Sequence, residues 1–162
     1  MNNTPYKIDD PLLGQSLVCE QILRALPDFF GVEAAVQQTI QAVVVLPTVV
    51  AWMAGQPVGF FALKQHFPRA AEAYVLGVLP AYQRLGIGWA MLNRAEDYLR
   101  ARGVSYLQVK TLGPSHSDPG YARTRAFYER AGFCPLEEFN QIWDESNPCL
   151  ILVKWIGTQQ NE

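Results

Sequence analysis

The stretch YQRLGIGWAML, Tyr82 to Leu92, raises the question of what the backbone there is cleared to touch. Two glycines one residue apart, Gly86 and Gly88, stand between a hydrophobic strand-like run and a helix-like run. The first turn of a helix presents unpaired backbone N–H groups and the positive end of the helix dipole, and that combination favours phosphate. Glycine removes the side chains that would keep a pyrophosphate from those donors and lets the turn take positive φ. A tight turn packed against a sheet would use the same residues. The dinucleotide fingerprint GxGxxG does not fit, because Met91 occupies the third glycine's place and no acidic residue ends a second strand about 20 residues on. A nicotinamide oxidoreductase is therefore a weak reading. A P-loop would need a GK[ST] ending, which is missing.

Outward from this stretch the elements follow by period and punctuation. Ala71 to Leu79 reads as a strand ended by Pro80, and Ile87, Met91, Leu92, Ala95 and Leu99 share one helical face, with Gly103 as the stop. In Val104 to Thr111, Leu107 and Val109 alternate with Gln108 and Lys110, which marks a half-buried strand. Asp118 and Pro119 supply an N-cap and first-turn proline for a helix over Tyr121 to Ala131, ended by Gly132. Strands over about Cys134 to Trp143 and Cys149 to Ile156 flank a DESNP turn. Upstream, Thr48 to Met53 and Val58 to Phe67 are strands joined by a four-residue AGQP turn, and Tyr6 to Ile8 is a short strand. Helices are predicted over Pro11 to Leu26 and, more weakly, Val32 to Ala42. The order implies a mixed α/β domain, a sheet covered by helices. Gly77, inside a strand of large residues, marks a bulge or a close backbone approach.

Three segments together carry a family resemblance. Gln83-Arg84-Leu85-Gly86-Ile87-Gly88 has the form Gln/Arg-x-x-Gly-x-Gly/Ala; TRAFYERAGF, Thr124 to Phe133, is a helix with Tyr, Glu and a returning Gly-Phe; AEAYVLGV is a strand with an acidic residue near its start. On these the chain resembles the GCN5-related N-acetyltransferase (GNAT) superfamily. The resemblance implies an acyl-CoA N-acyltransferase fold: a mixed, mostly antiparallel sheet of about six or seven strands flanked by about four helices. It implies that the turn from Gln83 through Trp89 cradles the pyrophosphate of acetyl-coenzyme A (acetyl-CoA). It also implies that main-chain groups of Leu76, Gly77 and Val78 hold the pantetheine arm and the acyl oxygen. Tyr121 stands where many relatives carry Asn, a cofactor-contacting position. Tyr128 would protonate the departing thiolate, a role open to a phenol positioned as a general acid. The same tyrosine lies with Thr124, Phe127 and Ala131 on a stripe facing the sheet, so a buried structural tyrosine is the plainer alternative. Glu72 is the candidate base, acting through water because it begins roughly 13 Å from Leu76 at about 3.3 Å per residue; a solvated strand-end carboxylate is the alternative. His116 reads as a surface loop residue on the rim of the acceptor site.

Composition is compatible with this. At 162 residues with 49% hydrophobic and 17% charged residues, the chain reads as one N-acetyltransferase domain over residues 1–162, with a cofactor-binding core at about 71–133 and an acceptor side at about 11–42 and 134–156. No apolar run approaches the roughly 18 residues of a membrane span, and the N-terminus resembles neither a signal nor a transit peptide, so a cytoplasmic protein is expected. Cys19, Cys134 and Cys149 form no CxxC pair and read as small buried hydrophobes; Trp143, Trp155 and Phe139 read mainly as core, with one of them a candidate wall of the acceptor pocket. With only His66 and His116, a metal site is not expected. The net charge of −2 hides eight of the 13 basic residues between Ala81 and Arg130 against four acidic ones, a field that suits an anionic ligand. An acidic chain without a basic tract argues against nucleic acid. The expected activity is acetyl transfer to a primary amine by direct attack, without a cysteine nucleophile; the alternative is a non-catalytic CoA-binding or sensing module. The acceptor side lacks acidic runs, which favours a small amine over a lysine-rich protein tail and leaves a homodimer open.

Overall fold

The computed structural model describes residues 5–158. Seven strands and four α-helices follow one another along it: β1 (Tyr6–Ile8), α1 (Ser16–Arg24), α2 (Glu33–Val43), β2 (Thr48–Met53), β3 (Gln56–Phe67), β4 (Ala70–Val78), α3 (Ile87–Arg100), β5 (Tyr106–Leu112), α4 (Pro119–Arg130), β6 (Cys134–Asp144) and β7 (Asn147–Trp155). The strands form one sheet in the order β1-β2-β3-β4-β5-β7-β6. The β1–β2, β2–β3, β5–β7 and β6–β7 pairs are antiparallel, and β4–β5 is parallel over Ala70–Ala73 and Tyr106–Val109. This is the mixed, mostly antiparallel α/β architecture expected from the sequence. None of the helices is long and apolar enough to cross a membrane among the described residues.

The chain divides into two compact units. The first comprises Met1–Lys64 and Tyr74–Arg102. Its core is built where Cys19, Ile22 and Leu23 of α1 and Val36 and Val43 of α2 meet Phe60 and Ala62 of β3. On α3 the predicted stripe of Ile87, Met91, Leu92, Ala95 and Leu99 is buried throughout, each large side chain contributing about 1.5–3 kcal/mol on burial. The β2–β3 turn is tighter than predicted. Ala54 and Gly55 both take positive φ, 49° and 77°, so two residues close the hairpin and Gln56 and Pro57 join the strand.

The first helix also departs from its prediction. Gly14 takes φ 75°, Leu12 bridges to Thr48, and α1 begins only at Ser16. Leu12 and Leu13 consequently precede the helix and are exposed, and Leu17, within α1, is exposed on the face away from Cys19, Ile22 and Leu23.

The second unit comprises Gln65–Ala73 and Gly103–Glu162. Leu107 and Val109 of β5, Leu150 and Leu152 of β7, Tyr128 of α4, and Ala131 and Phe133 after it are all buried. The α4 start follows its sequence signal closely. The Asp118 carboxylate accepts from the N–H groups of Gly120 and Tyr121 at 2.7 and 3.1 Å, and Pro119 opens the helix. Two expectations fail here. Cys134 is exposed, and Trp143 and Trp155 are each 47% exposed rather than core. Trp155 instead packs edge-to-face on Tyr106, ring centroids 5.0 Å apart.

Candidate functional site

In the first unit the chain leaves β4 at Val78 and makes a short 3-10 turn, Pro80–Tyr82, before α3. The Gln83 side-chain amide reaches back and donates to the Val78 carbonyl at 2.9 Å. Arg84 takes φ 64°, and Gly86, the N-cap of α3, takes φ 82°. That left-handed conformation costs an L-residue with a Cβ about 1–2 kcal/mol, which accounts for glycine at this position. The first intrahelical bond of α3 runs from the Ala90 N–H to the Gly86 carbonyl, 2.9 Å. The N–H groups of Ile87, Gly88 and Trp89 therefore precede the helix ladder. No side chain caps them, and the first turn holds no acidic residue. The Leu85 and Trp89 side chains flank this corner and are exposed. A pyrophosphate would fit this set of uncapped donors.

The neighbouring strand has the close approach that its glycine suggests. A Cβ on Gly59 would lie 3.2 Å from the Gly77 carbonyl oxygen, and one on Gly77 would lie 3.0 Å from the Phe60 ring. Leu76 and Val78 on either side are half-buried.

In the second unit Glu72 is 5% exposed, well inside the protein rather than solvated at a strand end. Its Oε2 is shared by Lys110 Nζ at 3.1 Å and His66 Nε2 at 2.6 Å. Register explains the first contact, since Glu72 pairs with Gln108, two residues from Lys110 on the same face of β5. The His66 contact was not read from the sequence. The Pro68–Arg69 turn between β3 and β4 brings position 66 back beside position 72, so a hairpin reading of HFPRAAE was the available signal.

Tyr128 is 4% exposed, ringed by Phe127 and Phe133 in edge-to-face contacts with centroids 5.2 and 5.3 Å apart. Burial drives its phenol pKa well above the ordinary range, so the hydroxyl stays protonated. Tyr121, half-buried in the first turn of α4, has its phenol pKa shifted upward mainly by burial and secondarily by the Asp118 charge. His116 Nδ1 accepts from the Asp118 N–H at 3.2 Å, which makes it part of the loop's own framework. Glu138 holds the same loop, accepting from the N–H and hydroxyl of Ser115, bonds that draw its carboxyl pKa down. Gly113 leaves room for that carboxylate.

The basic excess between Ala81 and Arg130 is partly neutralised within the chain. Arg94 pairs with Asp10 at 2.7 Å, Arg100 with Asp97 at 2.7 Å, and Lys110 with Glu72. Arg84, beside the cradle, is exposed.

Residues 26–133, about two thirds of the chain, match the model of the acetyltransferase (GNAT) family. The chain is 46% identical over 65 residues to a mycothiol acetyltransferase of Beutenbergia cavernae, a match covering 40% of this chain and 20% of that protein. The matched part thus spans about a fifth of that relative's length. In fold it is similar to the ribosomal-protein-S18-alanine N-acetyltransferase from Escherichia coli, with TM-score 0.75, 19% identity and 97% of each chain covered. It is similar also to a GNAT family acetyltransferase from Elizabethkingia anophelis with acetyl-CoA bound, with TM-score 0.71, 15% identity, and 93% of this chain and 98% of that one covered. Its motifs, its sheet order and the match over residues 26–133 agree: the chain belongs to the acetyltransferase (GNAT) family.

Proposed function

We propose that this protein transfers an acetyl group from acetyl-CoA to a primary amine by direct attack. The observation that carries the reading is the corner at Gly86, where a left-handed glycine leaves the N–H groups of Ile87, Gly88 and Trp89 uncapped. Those donors, with the backbone of Gln83, Arg84 and Leu85, would take the pyrophosphate. The carboxyl half of β4, with Leu76, Gly77 and Val78, would hold the pantetheine arm through its main chain. Tyr121 would add a cofactor contact. The nucleophile must be a neutral amine, so a proton leaves it before or during attack, and the buried Glu72 cluster is where that proton would go. As the C–S bond breaks, Tyr128, kept protonated by its burial, would donate to the thiolate.

We favour a small amine as acceptor over a lysine-rich protein tail, because the acceptor-side segments carry no run of acidic residues, and a cytoplasmic setting, because three cysteines without a CxxC pair suit a reducing compartment. The reading also takes residues 1–162 as a single acetyltransferase domain. Thermal unfolding with acetyl-CoA and with NAD tests it, together with thiol release on adding primary amines. Saturation to 100 times the dissociation constant should stabilise the protein by about 2.7 kcal/mol with acetyl-CoA. Stabilisation by NAD alone would refute the reading.

A further inference from the structure

We infer that Tyr6, at the start of the edge strand β1, is a further binding residue for the coenzyme, its hydroxyl donating to a pyrophosphate oxygen held at the Gly86 corner. The inference rests on the acetyl-CoA reading above and adds to that site a side chain from the first strand of the chain.

Topology brings the two together inside the first compact unit. Tyr6 pairs with Met53 of β2, and Met53 pairs in turn with Gln56 at the start of β3. Close by on β3, the Val58 carbonyl accepts from the Leu79 N–H at 2.9 Å, where β4 has just released the chain toward the glycine turn. The start of β1 and the end of β4 therefore lie at the same end of the sheet. From there α3 runs alongside β1, and the Arg94 guanidinium reaches Asp10 at 2.7 Å. A helix rises about 12 Å from Gly86 to Arg94 and an extended chain about 13 Å from Tyr6 to Asp10. The two segments are in step, so the contact at Asp10 matches one between Tyr6 and Gly86.

That second contact is present. Tyr6 and Ile8 are half-buried on one face of β1 while Lys7 points to solvent, and the Tyr6 hydroxyl lies 3.5 Å from the place a Cβ would take on Gly86. The hydroxyl does not cap the helix, because no side chain bonds the N–H groups that open α3. It has no anionic acceptor in the first turn, which holds no acidic residue, and it makes no hydrogen bond among the described residues. A phenol carries one O–H donor, and beside the positive end of a helix the favoured acceptor for it is an anion. Packing against α3 would need only the ring, which a phenylalanine supplies equally well. The oxygen is the part that a bound diphosphate would use, at the same corner as the uncapped N–H groups of Ile87, Gly88 and Trp89.

The test is calorimetric titration of the full chain with coenzyme A and with dephospho-coenzyme A, which lacks the 3′-phosphate and keeps the pyrophosphate. Tyr6→Phe keeps the ring and is expected to weaken both ligands equally, by about 10-fold, the lower end for a hydrogen bond to a charged group. The ³¹P resonances of the bound pyrophosphate should differ between wild type and Tyr6→Phe, with that of the 3′-phosphate unmoved. Unchanged affinity for coenzyme A overturns the assignment. A loss confined to coenzyme A does so too, because it places the hydroxyl at the 3′-phosphate. So does a loss of affinity with unmoved pyrophosphate resonances, which makes Tyr6 a support of the turn. The acetyl-CoA reading fails differently: wild-type protein would bind neither ligand, and the assignment would fall with it.

Discussion

The side-chain amide of Gln83 donates to the carbonyl of Val78 at 2.9 Å, so the last residue of β4 is tied to the first residue of the glycine turn. Both ends of that bond belong to the proposed cofactor-binding set, and it ties the strand end to the turn that leads into Gly86. Gln83→Ala removes the tie without touching the uncapped N–H groups. One hydrogen bond of this kind contributes about 0.5–1.5 kcal/mol net, so calorimetric titration should show coenzyme A binding roughly 2- to 10-fold weaker. Unchanged affinity would mean that the turn holds its shape unaided.

Tyr128→Phe separates an enzyme from a binding module. The phenol is shielded by Phe127 and Phe133, and removing its hydroxyl leaves those ring contacts in place. Turnover is expected to fall by about 10²-fold or more, while stabilisation by acetyl-CoA stays within experimental error of wild type. A sensing module would have no turnover to lose.

Acid stability should carry the signature of one surface pair. Glu33 accepts from Arg24 at 2.9 and 3.0 Å and from Gln37 at 2.8 Å, and the Arg24 bonds above all hold its carboxyl at about 2. A folded pKa below the unfolded value of about 4.3 means a contribution that is complete above that value and is lost as pH falls toward about 2. Urea titrations of Glu33→Gln between pH 5 and about pH 2 should therefore show a shallower loss of stability than wild type. The pair is exposed, so the difference should shrink in salt.

Thiol reactivity should follow burial. Cys19 is fully buried and its thiol is pushed up to about 12, Cys149 is buried and raised in the same direction, and Cys134 is exposed. A thiol-specific reagent should modify Cys134 rapidly in the native protein and all three only after denaturation. Rapid labelling of Cys19 in the native state would contradict the packing of α1.

Much of this was readable in the residue order, and the reasons differ by element. The α3 stripe and the Asp118-Pro119 cap were legible because both are local rules, one of period and one of hydrogen bonding within three residues. The start of α1 was not. Leu12, Leu13 and Leu17 fit a helical period, yet Gly14 at φ 75° and the Leu12–Thr48 bridge divert the chain first, and the partner strand lies 36 positions away. Trp143 and Trp155 misled for another reason, since aromatic residues in a final hairpin look alike whether their face is covered or open. The turn at Gly86 is visible as a glycine spacing, while the His66–Glu72 contact needs the hairpin drawn before either residue has a neighbour.

The central claim is that the amides opening α3 grip a pyrophosphate, and a backbone ¹H–¹⁵N titration with coenzyme A reads it most directly. Saturable shifts are expected at Gly86, Ile87, Gly88 and Trp89, present with coenzyme A and absent with pantetheine, which lacks the pyrophosphate. Saturable binding that leaves these four amides unmoved, or shifts them equally with pantetheine, would contradict it.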